Sequence, residues 1–178
     1  MKAQLRKRCL AARAAAPQTA RAAAATRLYA RLMHLRGKTI AGYLPIGSEV
    51  SPDKTMRALS GDNRICVPVV MARGAPLRFR EWTPGCVTEP GEFGVQVPVE
   101  GGWRVPDVVI VPICGFDASG ARLGYGGGFY DRTLAGMQDT LVVGLAMEAQ
   151  RVPQVPRGPH DVPLPWIVTD QGVAGSGV

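Results

Sequence analysis

The sequence predicts an α/β fold in which a mainly parallel sheet carries helices on both faces. Two β-branched apolar runs, VPDVVIVPI at residues 105–113 and TLVVGLAM at residues 140–147, are typical of strands buried on both sides. Segments with helical spacing alternate with the predicted strands, as expected where crossover helices join parallel strands. The length of 178 residues and a hydrophobic content of 46% fit one domain over residues 1–178.

Three helices are predicted in the first third of the chain. Residues 2–16 and 19–35 have apolar side chains at helical spacing, and Thr19 is a candidate N-cap for the second helix. Ser51 and Pro52 supply an N-cap and a proline at the first helical position, which together predict the start of a third helix.

The other predicted elements follow in order. Residues 76–82 alternate apolar and polar side chains, which predicts a half-exposed strand and allows an antiparallel addition to the sheet. Pro68 has no N–H group and therefore favours an edge strand or a strand end. The remaining expected elements are strands at residues 39–44 and 64–70, a helix at residues 128–134 and a last short strand at residues 166–169.

The charge balance limits the classes of partner. The 21 basic and 14 acidic residues give a net charge of +7, which suits a polyanionic ligand or a nucleic acid. The basic residues concentrate in the first 36 positions with almost no aromatic residues, whereas a platform for single-stranded nucleic acid needs aromatic faces as well as charge. We expect no nucleic-acid partner, and a basic nucleic-acid-binding module stays as the alternative function.

The composition also indicates the compartment. No apolar stretch approaches the ~18 residues that cross a bilayer, so no membrane partner is expected. The four cysteines are scattered without a C-x-x-C pair, and neither histidine is near enough in sequence to suggest a zinc site. A reducing cytoplasm is the simplest interpretation.

The segment RLGYGGGFYDR, residues 122–132, is the strongest functional signal in the chain. It follows the buried strand at residues 105–113, and open α/β sheets bind ligands at the carboxyl ends of their strands. Its glycines would let the backbone take positive φ and bring N–H groups close to a polyphosphate. A tight, mobile surface turn is the alternative. The glycines concerned are Gly124, Gly126, Gly127 and Gly128.

The side chains around these glycines suit a nucleotide. Arg122 is placed to clamp phosphate oxygens, and Asp131 to hold a magnesium ion against the phosphates. Tyr125 and either Phe129 or Tyr130 would stack on a flat ring. Alternatively, Asp131 is only an acid in the first turn of a helix and Tyr130 is a core residue.

Three further segments carry charges that suit a ligand. In GYLPIGSEV, Glu49 lies where a ligand would be reached, although an acid near a helix start explains it equally well. In KAQLR, Lys2 and Arg6 lie four apart on one helix face, which suits an anion or solvent. The loop PRGPHDVPLP contains His160 and Asp161, a pair that invites a metal or acid–base role.

The motifs that the sequence lacks are also informative. It has no G-x-x-x-x-G-K-[ST] loop and no G-x-S-x-G elbow, so a covalent hydrolase is unsupported. An enzyme that acts on a phosphosugar or a CoA ester stays open, because sheet architecture alone does not exclude it.

Together and in this order, these segments resemble the 5-formyltetrahydrofolate cyclo-ligase family. The similarity covers nearly the whole chain, through K-x-x-L-R, YLPIGSEV, LRFREWTPG, EFGVQVP, VPICGFDASGARLGYGGGFYDR and HDVPL. The glycine motif with its preceding G-F-D-x-x-G-x-R-L-G is the specific part, and the other segments support it. The resemblance implies a compact three-layer, Rossmann-like α/β sandwich that binds ATP and the folate in one cleft.

The resemblance implies ATP-dependent conversion of 5-formyltetrahydrofolate to 5,10-methenyltetrahydrofolate, through phosphorylation of the formyl oxygen and ring closure by N10, with release of ADP and phosphate. It implies a cytoplasmic monomer that uses magnesium bound by Asp131 and Asp161, with catalytic roles for Arg122 and Tyr130. This chain has Pro165 where many relatives have a second aspartate. The implied folate contacts are Arg6, Leu44, Glu49, Tyr125, Gly126, Gly127, Gly128 and Phe129. The implied ATP contacts are Lys2, Arg6, Arg122, Leu123, Gly124, Tyr125, Gly126, Gly127, Gly128, Phe129 and Tyr130.

Overall fold

A sheet of eight strands forms the centre of the computed structural model, which describes residues 1–177. The strands over these residues are β1 (Thr39–Ala41), β2 (Arg64–Val69), β3 (Arg78–Glu81), β4 (Thr88–Pro90), β5 (Gln96–Pro98), β6 (Trp103–Arg104), β7 (Val108–Pro112), β8 (Gly115–Phe116), β9 (Arg122–Leu123), β10 (Leu141–Leu145), β11 (Trp166–Val168) and β12 (Val173–Ala174). The central sheet has the order β12-β11-β10-β7-β1-β2-β3-β6, and β4–β5 and β8–β9 form two separate hairpins.

The middle of the sheet is parallel, as predicted. The neighbours β11, β10, β7, β1 and β2 pair in parallel, and β12, β3 and β6 add antiparallel strands at the two sides. The half-exposed strand predicted at residues 76–82 is confirmed as β3, which pairs antiparallel with β2.

Helices cover both faces of the sheet. They are α1 (Lys2–Ala15), α2 (Gln18–Leu32), α3 (Asp53–Leu59) and α4 (Phe129–Leu134), with 3-10 turns at Glu92–Gly94 and Glu148–Gln150. On one face, Leu28 of α2 and Met56 of α3 pack with Ile110; on the other, Leu134 of α4 packs with Val109. The predicted three-layer α/β arrangement is confirmed. Within residues 1–177, none of the helices has the length and apolar character needed to cross a bilayer.

The sequence of β7 follows from this layering. Val108 and Ile110 belong to the cluster under α2 and α3, whereas Val109 and Val111 belong to the cluster under α4. Successive side chains of a strand point to opposite faces. Because both faces are covered, all four positions are buried and apolar.

The helix α1 packs against the β8–β9 hairpin and the second 3-10 turn. Its Cys9 joins Ala121, Leu123 and Val155 in a third, smaller hydrophobic cluster. This docking brings the charged side chains of α1 next to the chain that follows β9.

Two helix starts differ from the predictions because proline takes the cap position. Pro17 is the N-cap of α2, so Thr19 lies inside the first turn and the prediction that it caps the helix is wrong. Pro52 is the N-cap of α3, one residue later than predicted, and the Ser51 hydroxyl accepts a hydrogen bond from the Asp53 N–H at 3.3 Å. A proline before the first turn leaves no N–H in need of a partner, which explains both positions.

Pro68 lies in β2 within the sheet, at the end of its parallel pairing, as predicted. Cys66 is the last β2 residue that pairs with β1. Residues two apart in a strand direct their N–H groups to the same side, so the missing N–H of Pro68 falls beyond the end of β1. On the other side, Pro68 lies opposite Phe79 of β3.

The strand predicted at residues 166–169 forms as β11, but the prediction that it is the last strand is wrong. Ala174 of β12 pairs with Ile167 and forms the sheet edge. The sequence pattern also failed to predict five further strands, namely β4, β5, β6, β8 and β9. Each has only two or three residues, which is too short for an alternating pattern to be recognised.

Gly120 allows the loop before β11 to contact the β8–β9 hairpin. Its φ is +82°, and a Cβ there would lie 2.1 Å from the carbonyl oxygen of Leu164. The N–H of Leu164 donates to the Gly120 carbonyl at 2.8 Å. Because a backbone carbonyl does not rotate away as a side chain does, this contact requires glycine.

We predict that Gly120→Ala lowers the free energy of unfolding by about 2–4 kcal/mol, since left-handed strain and a backbone clash combine. Gly74→Ala is the matched control. Gly74 has a φ of +80° with nothing within 4 Å of an added Cβ, so its cost should be only about 1 kcal/mol. Urea unfolding followed by circular dichroism measures both values, and equal losses would contradict the close approach.

Candidate active site

Two segments selected from the sequence meet at one cavity. Residues 42–50, which follow β1, and residues 124–128, called the glycine loop below, contribute to a cavity of about 450 Å³. Pro112, the last residue of β7, also lines it. The cavity therefore lies at the carboxyl edge of the parallel strands, where a ligand is expected.

The glycine loop needs its small residues for different reasons. Gly126 has a φ of +101° and Gly128 of +66°, whereas Gly124 and Gly127 do not take the positive φ that the sequence analysis allowed. A Cβ on Gly127 would lie 2.7 Å from the ring of Phe129. Two glycines thus permit the turn and a third permits the close packing of an aromatic ring.

A buried carboxylate fixes the hairpin that carries this loop. Asp117 accepts hydrogen bonds from the N–H groups of Ser119, Ala121 and Val155 at 2.9, 3.3 and 2.8 Å. Burial raises the pKa of Asp117, but these hydrogen bonds and that of the Ser119 hydroxyl outweigh it, so the pKa lies below its ordinary value. The ionised carboxylate therefore stabilises the turn.

Glu49 connects the two segments that line the cavity. The Tyr125 hydroxyl donates to Glu49 Oε1 at 2.8 Å, and the Ile46 N–H donates to Oε2 at 2.7 Å. Arg13 of α1 approaches Oε1 at 3.8 Å and donates to the Tyr125 hydroxyl at 2.9 Å. Glu49 is 8% exposed and Arg13 4%, so this ion pair is almost dry, whereas Tyr125 is 48% exposed.

Burial sets the ionisation of this group. It raises the pKa of Glu49, while the N–H of Ile46, the hydroxyl of Tyr125 and the charge of Arg13 oppose the rise. Burial also raises the pKa of Tyr125 to about 12. Tyr125 is therefore protonated at neutral pH, and it donates to Glu49 while accepting from Arg13.

Arg122 is buried and bound to other parts of the protein. Its guanidinium donates to Asp131 Oδ1 at 2.8 Å and to the carbonyl of Val162. Burial lowers the pKa of Arg122, and Asp131 and Asp161 oppose the decrease. Arg122 lines the cavity while it connects β9 to α4 and to the loop before β11. Its contact with phosphate stays a prediction.

Arg6 borders the glycine loop, and Lys2 is paired with Asp161. Lys2 Nζ lies 2.5 Å from Asp161 Oδ2, and Arg6 Nε donates to the carbonyl of Gly124 at 2.7 Å. The Arg6 guanidinium also lies 3.4 Å from where a Cβ on Gly126 would be. The first two turns of α1 thus direct one cation to the glycine loop and one to Asp161.

Asp131 and Asp161, the predicted magnesium ligands, lie close together. The N–H of Val162 donates to Asp131 Oδ1 at 3.1 Å. Each carboxylate has a cation, Arg122 on Asp131 and Lys2 on Asp161. Burial raises the pKa of Asp161, but the hydrogen bonds from Lys2 and a backbone N–H outweigh it and lower the pKa. In the part of the chain that the structure describes, no three His, Cys, Asp or Glu side chains are grouped for a metal.

Tyr130 contributes a buried hydroxyl for which residues 1–177 offer no hydrogen-bond partner. Burial, with the nearby Glu49, raises its pKa well above the ordinary value, so the hydroxyl is protonated. An unsatisfied buried donor costs about 1–3 kcal/mol. Because Tyr130 lines the cavity, an acceptor on a ligand would remove that cost.

An apolar wall of the cavity was missed by the sequence analysis. Phe93, in the β4–β5 hairpin, meets Phe129 edge to face with ring centroids 5.9 Å apart. Phe93 is 57% exposed, and its φ of +58° is unusual for a residue with a side chain. Leu77 and Val97 extend the wall. The only available signal was EFGVQVP, in which a bulky aromatic residue precedes glycine.

Leu123 and His160, which were also singled out in the sequence, do not line the cavity. The side chain of Leu123 lies in the cluster with Cys9, and His160 is exposed. Burial raises the pKa of Cys114 to about 11, as expected for a structural thiol. Arg13 was not selected from the sequence, because one arginine among many on a basic helix carries no distinguishing pattern.

The basic side chains of α2 are used within the fold. Arg21 and Arg27 donate to backbone carbonyls, and the guanidinium of Arg31 lies 4.1 Å from the ring centroid of Trp166. These contacts weaken the alternative of a nucleic-acid-binding module, which requires free cations on these helices.

Comparison with known sequences gives one consistent result. The profile of the 5-formyltetrahydrofolate cyclo-ligase family matches residues 1–170. A 5-formyltetrahydrofolate cyclo-ligase of Mycolicibacterium smegmatis is 33% identical over 184 aligned positions, which cover 94% of this chain and 93% of the relative. One of Haemophilus influenzae is 33% identical over 138 positions, covering 72% and 74%.

Solved structures agree. The 5,10-methenyltetrahydrofolate synthetase of Aquifex aeolicus superposes with a TM-score of 0.81 at 29% identity, covering 98% of this chain and 92% of that one. The enzyme of the same name from Mycoplasma pneumoniae has a TM-score of 0.76 at 27% identity, covering 95% and 98%.

We predict that Asp117→Asn lowers the free energy of unfolding by about 1–3 kcal/mol at neutral pH, because buried N–H groups lose a charged acceptor. The pKa of Asp117 is depressed in the folded state, so its contribution is present above the unfolded value of about 3.9 and is lost as the pH falls through the folded pKa. The difference between wild type and variant should therefore shrink below about pH 4.

Denaturant unfolding at several pH values measures this difference. The change Asp139→Asn, at an exposed position, is the control and should stay within about 0.5 kcal/mol. A difference for Asp117→Asn that stays constant down to pH 2 would contradict the assignment.

Proposed function

This chain belongs to the 5-formyltetrahydrofolate cyclo-ligase family, and on that premise we propose that it converts 5-formyltetrahydrofolate and ATP to 5,10-methenyltetrahydrofolate, ADP and phosphate. The observation that supports this most directly is the cavity itself. It combines an apolar, aromatic wall for a flat ring with a glycine loop that suits phosphate. Both substrates of the reaction would therefore meet at one loop.

The folate is proposed to occupy the cavity. Leu44 and Phe129 would contact the faces of its ring system, with Phe93 completing the wall. Glu49, held in place by Tyr125, would accept hydrogen bonds from ring N–H groups. The remaining proposed contacts are Arg6, Gly126, Gly127 and Gly128.

ATP is proposed to lie along the glycine loop. Arg6, which contacts the loop, and Lys2, which is paired with Asp161, would bind phosphate oxygens, and the N–H groups of residues 122–130 would complete the cradle. The loop is followed by α4, which has only six residues, so we assign anion binding to the loop and the cations rather than to a helix dipole.

Magnesium fits this arrangement, and we propose that Asp131 and Asp161 hold it. Mg²⁺ uses one or two carboxylates together with substrate phosphates, so two neighbouring aspartates are sufficient. Bound there, the ion would neutralise charge that develops on the transferring phosphoryl group. Lys2 would leave Asp161 for a phosphate oxygen when the ion and the nucleotide bind.

The chemistry requires activation of a poor electrophile. The formyl group on N5 is an amide, and its oxygen does not leave as oxide. Attack of that oxygen on the γ-phosphorus forms an O–P bond and breaks the bond to ADP, which gives an iminium phosphate. N10 then attacks the formyl carbon, and loss of phosphate and of the N10 proton leaves the five-membered methenyl ring.

The protein needs no nucleophile for these steps, only position and charge. Arg122 at the cavity lining is proposed to stabilise the transferring phosphoryl group. The protonated hydroxyl of Tyr130 is proposed to donate to a substrate oxygen, which would satisfy it. These two residues are the proposed catalytic groups.

We further propose a single-domain monomer that works in the cytoplasm. The two edge strands, β6 and β12, have only two residues each, which limits pairing between copies. All four cysteines are free thiols, as in a reducing compartment.

We predict that the purified protein forms methenyltetrahydrofolate from 5-formyltetrahydrofolate with MgATP, measured as near-ultraviolet absorbance, and forms none without ATP. Gly126→Val should abolish the activity, because a β-branched residue is strained at a φ of +101° and would press on Arg6. Gly37→Val is the control, at a φ of +65° with nothing within 4 Å, and it should remain active at temperatures where it is folded. Turnover without nucleotide would refute the proposed function.

We predict that Asp161→Asn raises the Mg²⁺ concentration for half-maximal activity by about tenfold, because one of two carboxylates is lost. Lys2→Met should raise the KM for ATP without raising this Mg²⁺ requirement. Calorimetric titration of Mg²⁺ in the presence of ADP provides a second readout. Asp139→Asn is the control, and an unchanged Mg²⁺ requirement in Asp161→Asn would exclude the assigned ligand.

A further inference from the structure

We propose that Arg13 is a positioning residue of the active site, which acts on the folate through Glu49 and Tyr125 without touching either substrate. This inference rests on the proposed function. Arg13 lies in the last turn of α1 and is 4% exposed. Arg13 does not line the cavity, whereas Glu49 and Tyr125 do.

The guanidinium of Arg13 contacts three separate parts of the chain. It donates to the Ser48 hydroxyl at 3.0 Å and to the Tyr125 hydroxyl at 2.9 Å, and it approaches the Ile113 carbonyl at 3.5 Å. Its ion pair with Glu49 completes the set. One planar, rigid cation thus joins α1, residues 42–50, the end of β7 and the glycine loop.

The position of Arg13 on its helix extends the face that borders the glycine loop. Lys2, Arg6, Cys9 and Arg13 follow one another at spacings of four, three and four, so they share one side of α1. The first two contact the loop and its surroundings, and Cys9 lies 2.6 Å from where a Cβ on Gly115 would be. Arg13 is the last member of a side that is docked over its whole length.

A role confined to folding would not explain the choice of partners. A buried arginine needs acceptors, and backbone carbonyls would satisfy it as well. Arg13 instead shares the Tyr125 hydroxyl with Glu49, so that the tyrosine accepts from Arg13 and donates to the carboxylate. This order fixes the direction of the Tyr125 proton and orients the Glu49 carboxyl group.

Several titratable groups act on Glu49 besides Arg13. Burial acts against its ionisation, the hydrogen bonds from Ile46 and Tyr125 favour it, and Arg13 is the cation among its immediate contacts. Arg122 lines the same cavity, and the charge of Glu49 contributes to the raised pKa of Cys114. The groups that face Glu49 are Arg13, Tyr43, Cys114, Tyr125 and Tyr130.

Removal of Arg13 should therefore act in two ways. The pKa of Glu49 should rise further, since burial remains while the cation is lost, so the acid limb of kcat/KM for the folate should move to higher pH. The glycine loop should also become less firmly docked, because Tyr125 loses a charged donor.

The test compares Arg13→Met, Arg13→Lys, Glu49→Gln and the double variant Arg13→Met/Glu49→Gln. We expect Arg13→Met to lower kcat/KM for 5-formyltetrahydrofolate by roughly tenfold and to shift the acid limb upward. Arg13→Lys keeps the charge but lacks the planar guanidinium with its several N–H donors. It should therefore restore the acid limb of the kcat/KM profile, whereas amide hydrogen exchange at residues 124–128 should stay faster than in wild type. In the Glu49→Gln background, Arg13→Met should lower kcat/KM for 5-formyltetrahydrofolate by no more than about twofold.

Arg8→Met is the matched control, because it removes one charge from an exposed position of the same helix, and it should leave the pH profile and loop exchange unchanged. Thermal unfolding of each variant separates loss of folded protein from loss of function. An acid limb that does not move in Arg13→Met, or an effect that simply adds to that of Glu49→Gln, would overturn the proposal.

Failure of the proposed function would be distinguishable from failure of this inference. A wild-type protein without ligase activity would refute the function alone. The loop exchange of Arg13→Met against that of Arg8→Met still tests the link between Arg13 and the glycine loop. Equal rates of amide hydrogen exchange at residues 124–128 in these two variants would overturn the positioning role, whichever reaction the protein catalyses.

Discussion

The site depends on the burial of one guanidinium between elements that are distant in sequence. Arg13 leaves water only because Glu49, Tyr125 and Ser48 offer it a carboxylate and two hydroxyls. Breaking such a group by removing one partner leaves an uncompensated charge, which is strongly unfavourable. The docking of α1, the shape of residues 42–50 and the position of the glycine loop are therefore coupled.

Most charges around the glycine loop have internal partners before any substrate binds. Arg122 is paired with Asp131 and Lys2 with Asp161, so these four charges are compensated within the protein. In the proposed function, a magnesium nucleotide would exchange these pairs for metal–carboxylate and cation–phosphate contacts.

The sequence was informative where one residue type has one physical explanation. The apolar runs of β7 and β10 predicted buried parallel strands, and the glycine motif predicted a turn at the carboxyl edge. It misled where two local signals compete, as at Thr19, which lost the cap position to the proline before it. Strands of two or three residues, such as β8 and β9, are defined by their partners and leave no periodic pattern.

The sequence alone therefore determined the α/β class and the order of the main strands along the chain, and it made Glu49 and the glycine loop candidates for a site, each with a purely structural alternative. Only the tertiary structure decided that Arg13 joins them, that Phe93 forms a wall of the cavity, and that Arg122 is bound to Asp131. The physical reason is that these roles depend on which residues the fold brings together, at separations from 9 positions for Arg122 and Asp131 to 112 for Arg13 and Tyr125, and no local pattern encodes the partner of a buried charge.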